Sequence, residues 1–379
     1  MVQPQIMKYL FSKATRARMP LSAAFEISPE CNMNCKMCYV KMTPKEMEKV
    51  GRKRTVEDWL DIAKQAQELG LLHILLTGGE PFLQKDFKEL YLKLKQMGFV
   101  VSINSNGTMI NEEIVNWLSQ SPPDVINITL YGASNDTYKR LCNNPKGLEQ
   151  VKNAVNLLKN KNINVKLNAS MTPYNIDDLD EMFEVAKELD VTLNPTAYMF
   201  PPSRRDESLF EDNFRLDAEK AGKCTAYMEY KKLGEEKFKQ KVEYIMDILK
   251  KNKTENNEDL DISCRAGRST AWITWDGKMM SCGVMENENL ISYPFDIGFE
   301  TAWKDVVEKS KVLKLNSNCA KCAKREICYT CGAACYDEEG SFDKVPDYLC
   351  KMTYARLKEL KRLYETLDLW GIDFMEFKK

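Results

Sequence analysis

The chain has 379 residues, of which 44% are hydrophobic, and its formal net charge is −1. This length suits two domains, or one barrel with an extension. The balanced charge gives no sign of a nucleic-acid partner. No apolar run approaches the ~18–20 residues of a membrane span. The first 22 residues interleave basic and apolar side chains, so a secretory signal is not expected.

Cysteine usage is unusual, with 13 cysteines and one histidine. Eleven of the cysteines fall in two groups, one near each end of the chain. In a large chain without a signal peptide, this grouping favours metal binding in a reducing cytoplasm over disulfides. The single histidine, His73, lies in an apolar run and is expected in the core, which nearly excludes mixed Cys/His zinc sites.

The first ~200 residues alternate strand and helix signals, as βα units do. The first predicted helix begins after Thr55 and stops before Gly70. Six repeats favour an α/β fold with an open, partial (β/α)6 TIM barrel, in which the loops after the strands carry the chemistry. The predicted strands are Ala24–Ser28, His73–Thr77, Val100–Asn104, Val125–Tyr131, Val165–Ser170 and Thr192–Tyr198. The other predicted helices are Asp86–Met97, Asn111–Ser119, Pro145–Lys159 and Ile176–Leu189.

A C-x3-C-x2-C triplet, formed by Cys31, Cys35 and Cys38, follows the first predicted strand. Three thiolates can ligate three irons of a [4Fe–4S] cube, whereas four would leave no open iron. The remaining iron would be free for a small molecule to chelate. A zinc loop or a chance triplet is the alternative.

Polar and glycine-rich segments follow the next predicted strands. Gly78 and Gly79 precede Glu80, and they would let backbone approach a ligand closely, while Glu80 could accept from an ammonium group. A tight turn is the alternative there. Asn104 and Ser105 follow the third strand and are candidate ligand contacts, unless they only form a polar turn around Gly107. Asn168 and Ser170 end the fifth strand and are further candidate contacts. Arg204 and Arg205 follow the sixth strand and could bind a substrate carboxylate, unless they are a solvated surface pair.

Together with the aromatic Tyr39 after Cys38, these segments resemble the radical S-adenosylmethionine (SAM) superfamily. The resemblance implies a [4Fe–4S] cluster on Cys31, Cys35 and Cys38, whose open iron chelates SAM. One electron from the cluster would then cleave SAM to a 5′-deoxyadenosyl radical. The implied SAM-binding residues are Tyr39, Gly78, Gly79, Glu80, Pro81, Asn104, Ser105, Asn168 and Ser170.

The C-terminal cysteines follow a second pattern. Cys264 precedes Gly277-x4-Cys282, and a block follows that ends before an isolated Cys350. The block is Cys319-x2-Cys322-x5-Cys328-x2-Cys331-x3-Cys335. This pattern is similar to the SPASM extension of radical SAM enzymes, which binds two auxiliary [4Fe–4S] clusters. Eight thiolates match two closed cubes. Zinc bound by four thiolates is the alternative.

By this resemblance, the outer auxiliary cluster is bound by Cys319, Cys322, Cys328 and Cys350. The inner cluster is bound by Cys264, Cys282 and Cys335. Cys331 departs from the family pattern: it is either the fourth inner ligand or a spare residue that leaves an open iron. Cys142 and Cys224 lie outside every pattern and are expected in the core, although Cys142 could face the cavity.

Four segments are predicted from these assignments. They are an N-terminal segment (1–22), a radical SAM partial barrel (23–205), a helical bridge (206–255) and a Cys-rich SPASM domain with a closing helix (256–379). The ~22 residues before the first strand are too few for a peptide-recognition domain. A separate recognition protein, a short substrate or a non-peptide substrate would account for this.

The combined resemblance implies an enzyme that oxidatively modifies a peptide or protein side chain, for example by a thioether cross-link. It also implies an electron donor such as flavodoxin or ferredoxin, a cytoplasmic location, and no nucleic-acid or membrane partner. Three alternatives stay open: a tetrapyrrole or other small-molecule enzyme, a sulfatase-maturating enzyme, and a non-catalytic iron–sulfur electron carrier. Sulfatase-maturating enzymes carry Asp after the second SPASM cysteine, where this chain has Gly283.

Overall fold

The computed structural model describes residues 5–201, 214–251 and 264–367. The chain separates into two compact units. The first comprises Met1–Asn168, Ala186–Leu193 and Cys264–Val312, and the second Ala169–Val185, Asn194–Ser263 and Leu313–Lys379. These two units are defined by contacts between residues, whereas the four predicted segments were defined by their sequence motifs. The boundaries of those four segments stay a prediction.

A central sheet has eight strands among the described residues. Along the sheet their order is β6-β5-β4-β3-β2-β1-β7-β8. Neighbours from β1 to β5 pair in parallel, β7 pairs in parallel with β1, and β8 runs antiparallel to β7. The strands are β1 (Ser22–Glu26), β2 (His73–Thr77), β3 (Val100–Ser105), β4 (Ile126–Thr129), β5 (Val165–Ser170), β6 (Leu193–Thr196), β7 (Thr270–Ile273) and β8 (Met279–Met280).

The predicted open barrel of six β/α repeats is confirmed by β1 to β6, whose order along the sheet follows the chain. The structure adds a feature that was not predicted. Residues 270–273 of the Cys-rich region form β7, which pairs with β1 through Ser22 and Thr270. The strand that precedes the cysteine triplet is therefore bonded on both sides, because β2 occupies its other edge.

Helices of the first unit connect and cover these strands. Thr55 caps α3 in a capping box with Asp58, as predicted, and Asn111 caps α5. Helices α1, α2 and α6 were not predicted. The helices are α1 (Gln5–Ala17), α2 (Pro44–Val50), α3 (Val56–Glu68), α4 (Phe87–Gln96), α5 (Glu112–Leu118), α6 (Asn135–Cys142) and α7 (Gly147–Asn160). After α8 (Leu179–Glu188), which falls in both units, come α11 (Pro294–Ile297) and α12 (Phe299–Lys309), both in the first unit.

The second unit is mainly helical. Its described helices include α9 (Ala218–Leu233), α10 (Glu235–Lys251), α13 (Ser317–Ala320), α14 (Gly332–Glu339) and α15 (Asp347–Thr366). The predicted bridge contains α9 and α10, whose residues share one apolar cluster with α15, including Phe238, Val242 and Leu360. Gly222 lets α9 and α15 approach closely, because a Cβ there would lie 2.3 Å from the carbonyl oxygen of Met352.

Candidate active site

The loop that carries the cysteine triplet follows β1 and lies against the loop that follows β2. The backbone N–H of Gly79 donates to the Ser28 carbonyl at 2.7 Å, and that of Glu80 donates to the Glu30 carbonyl at 2.9 Å. Cys31 comes next in the chain. The second loop therefore fixes the direction in which the chain enters the triplet.

The two glycines are required by this contact between backbones. A Cβ on Gly78 would lie 2.4 Å from the carbonyl oxygen of Ser28, and one on Gly79 would lie 2.2 Å from that of Glu30. Cβ atoms do not approach carbonyl oxygens so closely. The sequence assigned the glycines to close approach of a ligand, and the structure shows close approach of the cysteine loop.

Glu80 joins the loops that follow β2 and β3. Its side chain is 1% exposed. The carboxylate accepts from the backbone N–H groups of Asn106 at 2.7 Å and Phe82 at 3.1 Å, and from the Ser105 hydroxyl at 2.9 and 3.1 Å. Burial raises the pKa of Glu80 to about 7, against the opposing effect of these hydrogen bonds. Contact with the ammonium of SAM stays a prediction.

Asn106 is a site residue that the sequence analysis missed. Its side-chain amide donates to the Cys31 sulfur at 3.6 Å and to the Asn32 side chain at 2.9 Å. Its side-chain oxygen accepts from the Thr108 backbone and hydroxyl at 2.9 and 2.7 Å. The one available signal was the Ser-Asn-Gly turn after β3, which is common in loops. Asn106 therefore connects the loop after β3 to Cys31, the first cysteine of the triplet.

Each cysteine of the triplet has a hydrogen-bond donor at its sulfur. The backbone N–H of Met33 donates to Cys31 at 3.4 Å, and that of Lys41 donates to Cys38 at 3.3 Å. The Cys35 sulfur accepts from the side chains of Cys142 and Tyr131, and the hydrogen bond from Cys142 is the largest cause of a lowered Cys35 pKa. Burial raises the pKa of Cys31 to about 11.

These donors fit an iron–sulfur cluster, because hydrogen bonds to ligand sulfurs stabilise their negative charge. In residues 5–201, 214–251 and 264–367, no group of three or more Cys, His, Asp or Glu side chains converges on a single metal ion. A cube places each thiolate on a different iron, so its ligands need not converge on one point.

The other predicted SAM contacts lie on or near the carboxyl ends of the strands. The side-chain oxygen of Asn104 accepts from the Asn127 side chain of β4 at 3.0 Å. Asn168 of β5 is opposite Thr129 of β4. Tyr39 is half-buried and Pro81 is buried at the start of a 3-10 turn. Ser170 belongs to the second unit. Their contacts with SAM stay predictions.

Four predicted auxiliary ligands, Cys319, Cys322, Cys328 and Cys350, lie in the second unit. Burial raises the pKa of Cys319 to about 11, and nearby Cys350, Cys328 and Cys322 add to it. Thr353 donates to the Cys328 sulfur at 3.2 Å. These interactions bring the predicted outer ligands together.

The predicted inner ligands are divided between the units. Cys264 and Cys282 lie in the first, and Cys331 and Cys335 lie in the second. Burial raises the pKa of Cys335 to about 12. The ligand set of the inner cluster, including the role of Cys331, stays a prediction.

Three further residues can be assessed. Cys142 and Cys224 are buried, as predicted for core residues. Gly283 replaces the Asp of sulfatase-maturating enzymes for a packing reason, because a Cβ there would lie 2.3 Å from the Trp272 ring. Arg204 and Arg205 lie outside the described residues.

Known proteins are similar to this chain in sequence and in fold. A family model described as the Radical SAM superfamily matches residues 25–186. Residues 25–186 are a radical SAM domain. The protein is therefore an enzyme, and proteins of the radical SAM superfamily use a [4Fe–4S] cluster and SAM. Cys31, Cys35 and Cys38 fall inside the radical SAM domain, as do Glu80 and Asn106.

Two curated relatives match different shares of the chain. The AdoMet-dependent heme synthase of Methanosarcina barkeri is 22% identical over 340 residues, which is 85% of this chain and 94% of that protein. The PqqA peptide cyclase of Granulibacter bethesdensis is 25% identical over 178 residues, 47% of each chain. This second match thus spans about half of each protein.

Two solved structures share the fold. The structure of anSMEcpe with bound AdoMet matches with a TM-score of 0.66 and 16% identity, over 94% of this chain and 97% of that chain. Streptococcus suis SuiB bound to precursor peptide SuiA matches with a TM-score of 0.64 and 17% identity, over 91% and 80%. No helix among the described residues has the length and apolar character needed to cross a membrane.

Proposed function

We propose that this radical SAM enzyme cleaves SAM reductively and oxidatively modifies a side chain of a peptide or protein, with two auxiliary [4Fe–4S] clusters. The observation that carries the first part is the meeting of three loops at the cysteine triplet. Glu80 and Asn106 tie the loops after β2 and β3 to the loop after β1. When bound, the triplet's cluster supplies the electron for SAM cleavage.

The residues of the chain have separate tasks in this proposal. Cys31, Cys35 and Cys38 hold the cluster, and the donors at their sulfurs stabilise its charge. Glu80 and the two glycines before it set the position of the cysteine loop. Asn104 and Asn168 offer polar groups at the carboxyl ends of strands, where ligands of parallel α/β folds bind.

A peptide substrate is supported by relatives. The PqqA peptide cyclase is similar to 47% of the chain, and SuiB, whose fold is similar, was solved with a precursor peptide. The eight C-terminal cysteines match the number of ligands of two closed cubes. An electron donor such as flavodoxin or ferredoxin, and a cytoplasmic location, belong to the same proposal.

A tetrapyrrole substrate is the second candidate. The observation in its favour is the heme synthase match, which extends over 94% of that relative, whereas the cyclase match covers 47%. Sulfatase maturation is less supported, because Gly283 leaves no room for the Asp side chain that the sequence pattern of those enzymes requires.

The test is iron and sulfide content of anaerobically reconstituted protein, together with SAM cleavage by dithionite in the same tube. About twelve irons per chain and formation of 5′-deoxyadenosine are expected from three cubes. About four irons with zinc elsewhere would remove the auxiliary clusters from the proposal. Twelve irons without 5′-deoxyadenosine would indicate an electron carrier.

The substrate is tested separately. Candidate precursor peptides encoded beside the gene, and a porphyrin that carries carboxylate side chains, are each incubated with enzyme, SAM and reductant. Mass loss from the peptide supports the maturase proposal. Change in the porphyrin alone would replace it with the tetrapyrrole alternative.

A further inference from the structure

Cys35 is the middle cysteine of the triplet, and backbone hydrogen bonds connect its two neighbours in the chain to the C-terminal end of α6. The backbone N–H of Asn34 donates to the Cys142 carbonyl at 3.0 Å, and that of Lys36 donates to the Leu141 carbonyl at 2.9 Å. These two bonds stand on either side of Cys35. Cys142 is the last residue of α6, and the helix ends there because Asn143 adopts a left-handed conformation with φ of 56°.

The two backbone bonds bring the Cys142 thiol to the Cys35 sulfur. Cys142 is fully buried. Its thiol donates a hydrogen bond to Cys35, and the Tyr131 hydroxyl is a second donor to the same sulfur. Tyr131 is itself oriented by Tyr138, whose hydroxyl accepts from the Tyr131 backbone N–H at 3.3 Å. Helix α6 and the end of β4 thus present two side-chain donors to one cysteine.

Cys35 differs in this respect from its two partners. Cys38 accepts from the backbone N–H of Lys41, and Cys31 accepts from the backbone N–H of Met33 as well as from Asn106. No substitution removes a backbone N–H other than one to proline. The donors at Cys35 come from side chains, so they can be removed one at a time.

We propose that Cys142 is a positioning residue for the SAM-binding cluster: its S–H donates to the Cys35 ligand sulfur and raises the reduction potential of the cluster. The reduced cluster carries one more negative charge than the oxidised cluster, part of it on the ligand sulfurs. A donor at such a sulfur therefore stabilises the reduced form more than the oxidised form. Cys142 is not itself a ligand in this proposal, which extends the radical SAM assignment and does not depend on the substrate.

The experiment is a redox titration of reconstituted enzyme followed by electron paramagnetic resonance. The signal that changes on addition of SAM identifies the SAM-binding cluster among the three. Cys142→Ala is compared with Cys142→Ser, which keeps a donor, and with Cys224→Ala, which removes an equally buried thiol from the second unit.

Cys142→Ala is expected to lower the ratio of reduced to oxidised cluster at a fixed potential about tenfold, which is about 59 mV for a one-electron couple. Cys142→Ser and Cys224→Ala should each shift that ratio less than threefold. Equal potentials for wild type and Cys142→Ala would overturn the proposal. So would a shift in Cys142→Ser as large as that in Cys142→Ala, because only the loss of the donor should matter.

A second variant covers the case in which Cys142→Ala fails to load iron. Cys142→Val fills the space of the buried thiol but carries no donor, so it should lower the ratio of reduced to oxidised cluster about tenfold, which is about 59 mV. A wild-type potential in Cys142→Val would overturn the proposal, and it would leave SAM cleavage, and hence the proposed function, unaffected.

Discussion

The backbone N–H of Asn106 donates to the Glu80 carboxylate at 2.7 Å, and the same residue reaches Cys31 with its side chain. A buried carboxylate after β2 thus holds the β3 loop, and this loop holds the first cysteine. The position of the cysteine loop therefore depends on residues that are 50 to 75 positions away in the chain: Glu80 bonds to Glu30, and Asn106 bonds to Cys31. Four variants test different parts of this arrangement and one ion pair of the second unit.

Replacing Cys31, Cys35 and Cys38 together by Ala should abolish SAM cleavage. The loss of three ligands removes one cube, so iron content should fall by about four per chain while auxiliary iron remains. Iron analysis and the yield of 5′-deoxyadenosine measure both effects. Cys224→Ala is the control, since its buried thiol lies outside both cysteine groups. Continued SAM cleavage by the triple variant would show that the triplet is not the SAM site.

Glu80 should make the protein less stable as the pH rises from about 5 to about 8. Its pKa is about 7 in the folded protein and 4.5 ordinarily, so the folded state binds the proton more tightly between these values. This contribution is complete below pH 4.5 and is lost as the pH passes 7. It amounts to about 3 kcal/mol at most. Glu80→Gln should remove that part of the pH dependence, which anaerobic thermal unfolding at several pH values measures.

A matched control for Glu80→Gln is Glu89→Gln, because Glu89 is half-exposed and pairs with Lys93 on the surface of α4. The two variants remove the same charge. If the unfolding temperature of Glu80→Gln depends on pH in the same way as that of wild type, burial does not raise the pKa of Glu80.

Gly79→Ala should disrupt the cysteine loop. The new methyl group would lie 2.2 Å from the Glu30 carbonyl oxygen, and backbone must move to relieve the overlap. We expect a loss of about 2–4 kcal/mol in unfolding free energy and incomplete loading of the triplet's cluster. Urea unfolding and iron content are the measurements. Gly51→Ala is the control, since its Cβ would make an ordinary contact of 3.5 Å with Asp276 from an extended backbone. Similar stability for both variants would refute the close-approach argument.

Arg215→Met should destabilise the second unit, because Arg215 pairs with Glu338 of α14 through two hydrogen bonds of 3.1 and 3.0 Å. The side chains are only 14% and 8% exposed, so the variant leaves a nearly buried carboxylate with Tyr198 as its remaining donor at 3.0 Å. Loss of one partner of such a pair costs about 3 kcal/mol or more. Thermal unfolding of Arg215→Met measures this cost.

The exposed pair of Lys220 and Asp217 provides the comparison for Arg215. Lys220→Met should change the unfolding free energy by less than about 1 kcal/mol, because solvent screens this pair. Since Cys331 caps the N-terminus of α14, Arg215→Met should also broaden the electron paramagnetic resonance signals of the auxiliary clusters. An Arg215→Met protein as stable as Lys220→Met would show that the buried pair contributes nothing.

Much of the first unit could be predicted from local signals. The limits of β2 and β5 are those predicted, and the helix after Thr55 begins and ends where its cap and glycine indicated. Apolar runs and capping residues predict the structure of the segment that contains them, and these strands and helices are determined mainly by such local signals. The cysteine triplet was recognisable because its spacing lies within eight residues.

Contacts between distant segments could not be predicted in the same way. The pairing of β7 with β1 depends on a partner about 250 residues away in the chain. The role of Asn106 depends on the meeting of two loops, and Gly79 is required by a carbonyl oxygen whose position no local pattern gives. The contact between Cys142 and Cys35 arises from the packing of α6, a helix that was itself not predicted.

The position of β7 beside β1 has a consequence for synthesis of the chain. Ser22 of β1 pairs with Thr270 of β7. During synthesis, the edge of β1 that faces β7 therefore has no partner until about 250 further residues have left the ribosome. Until then that edge is open to pairing with other chains. A fragment that stops at residue 205 should therefore aggregate when it is expressed alone, even though it holds the triplet and all six predicted strands.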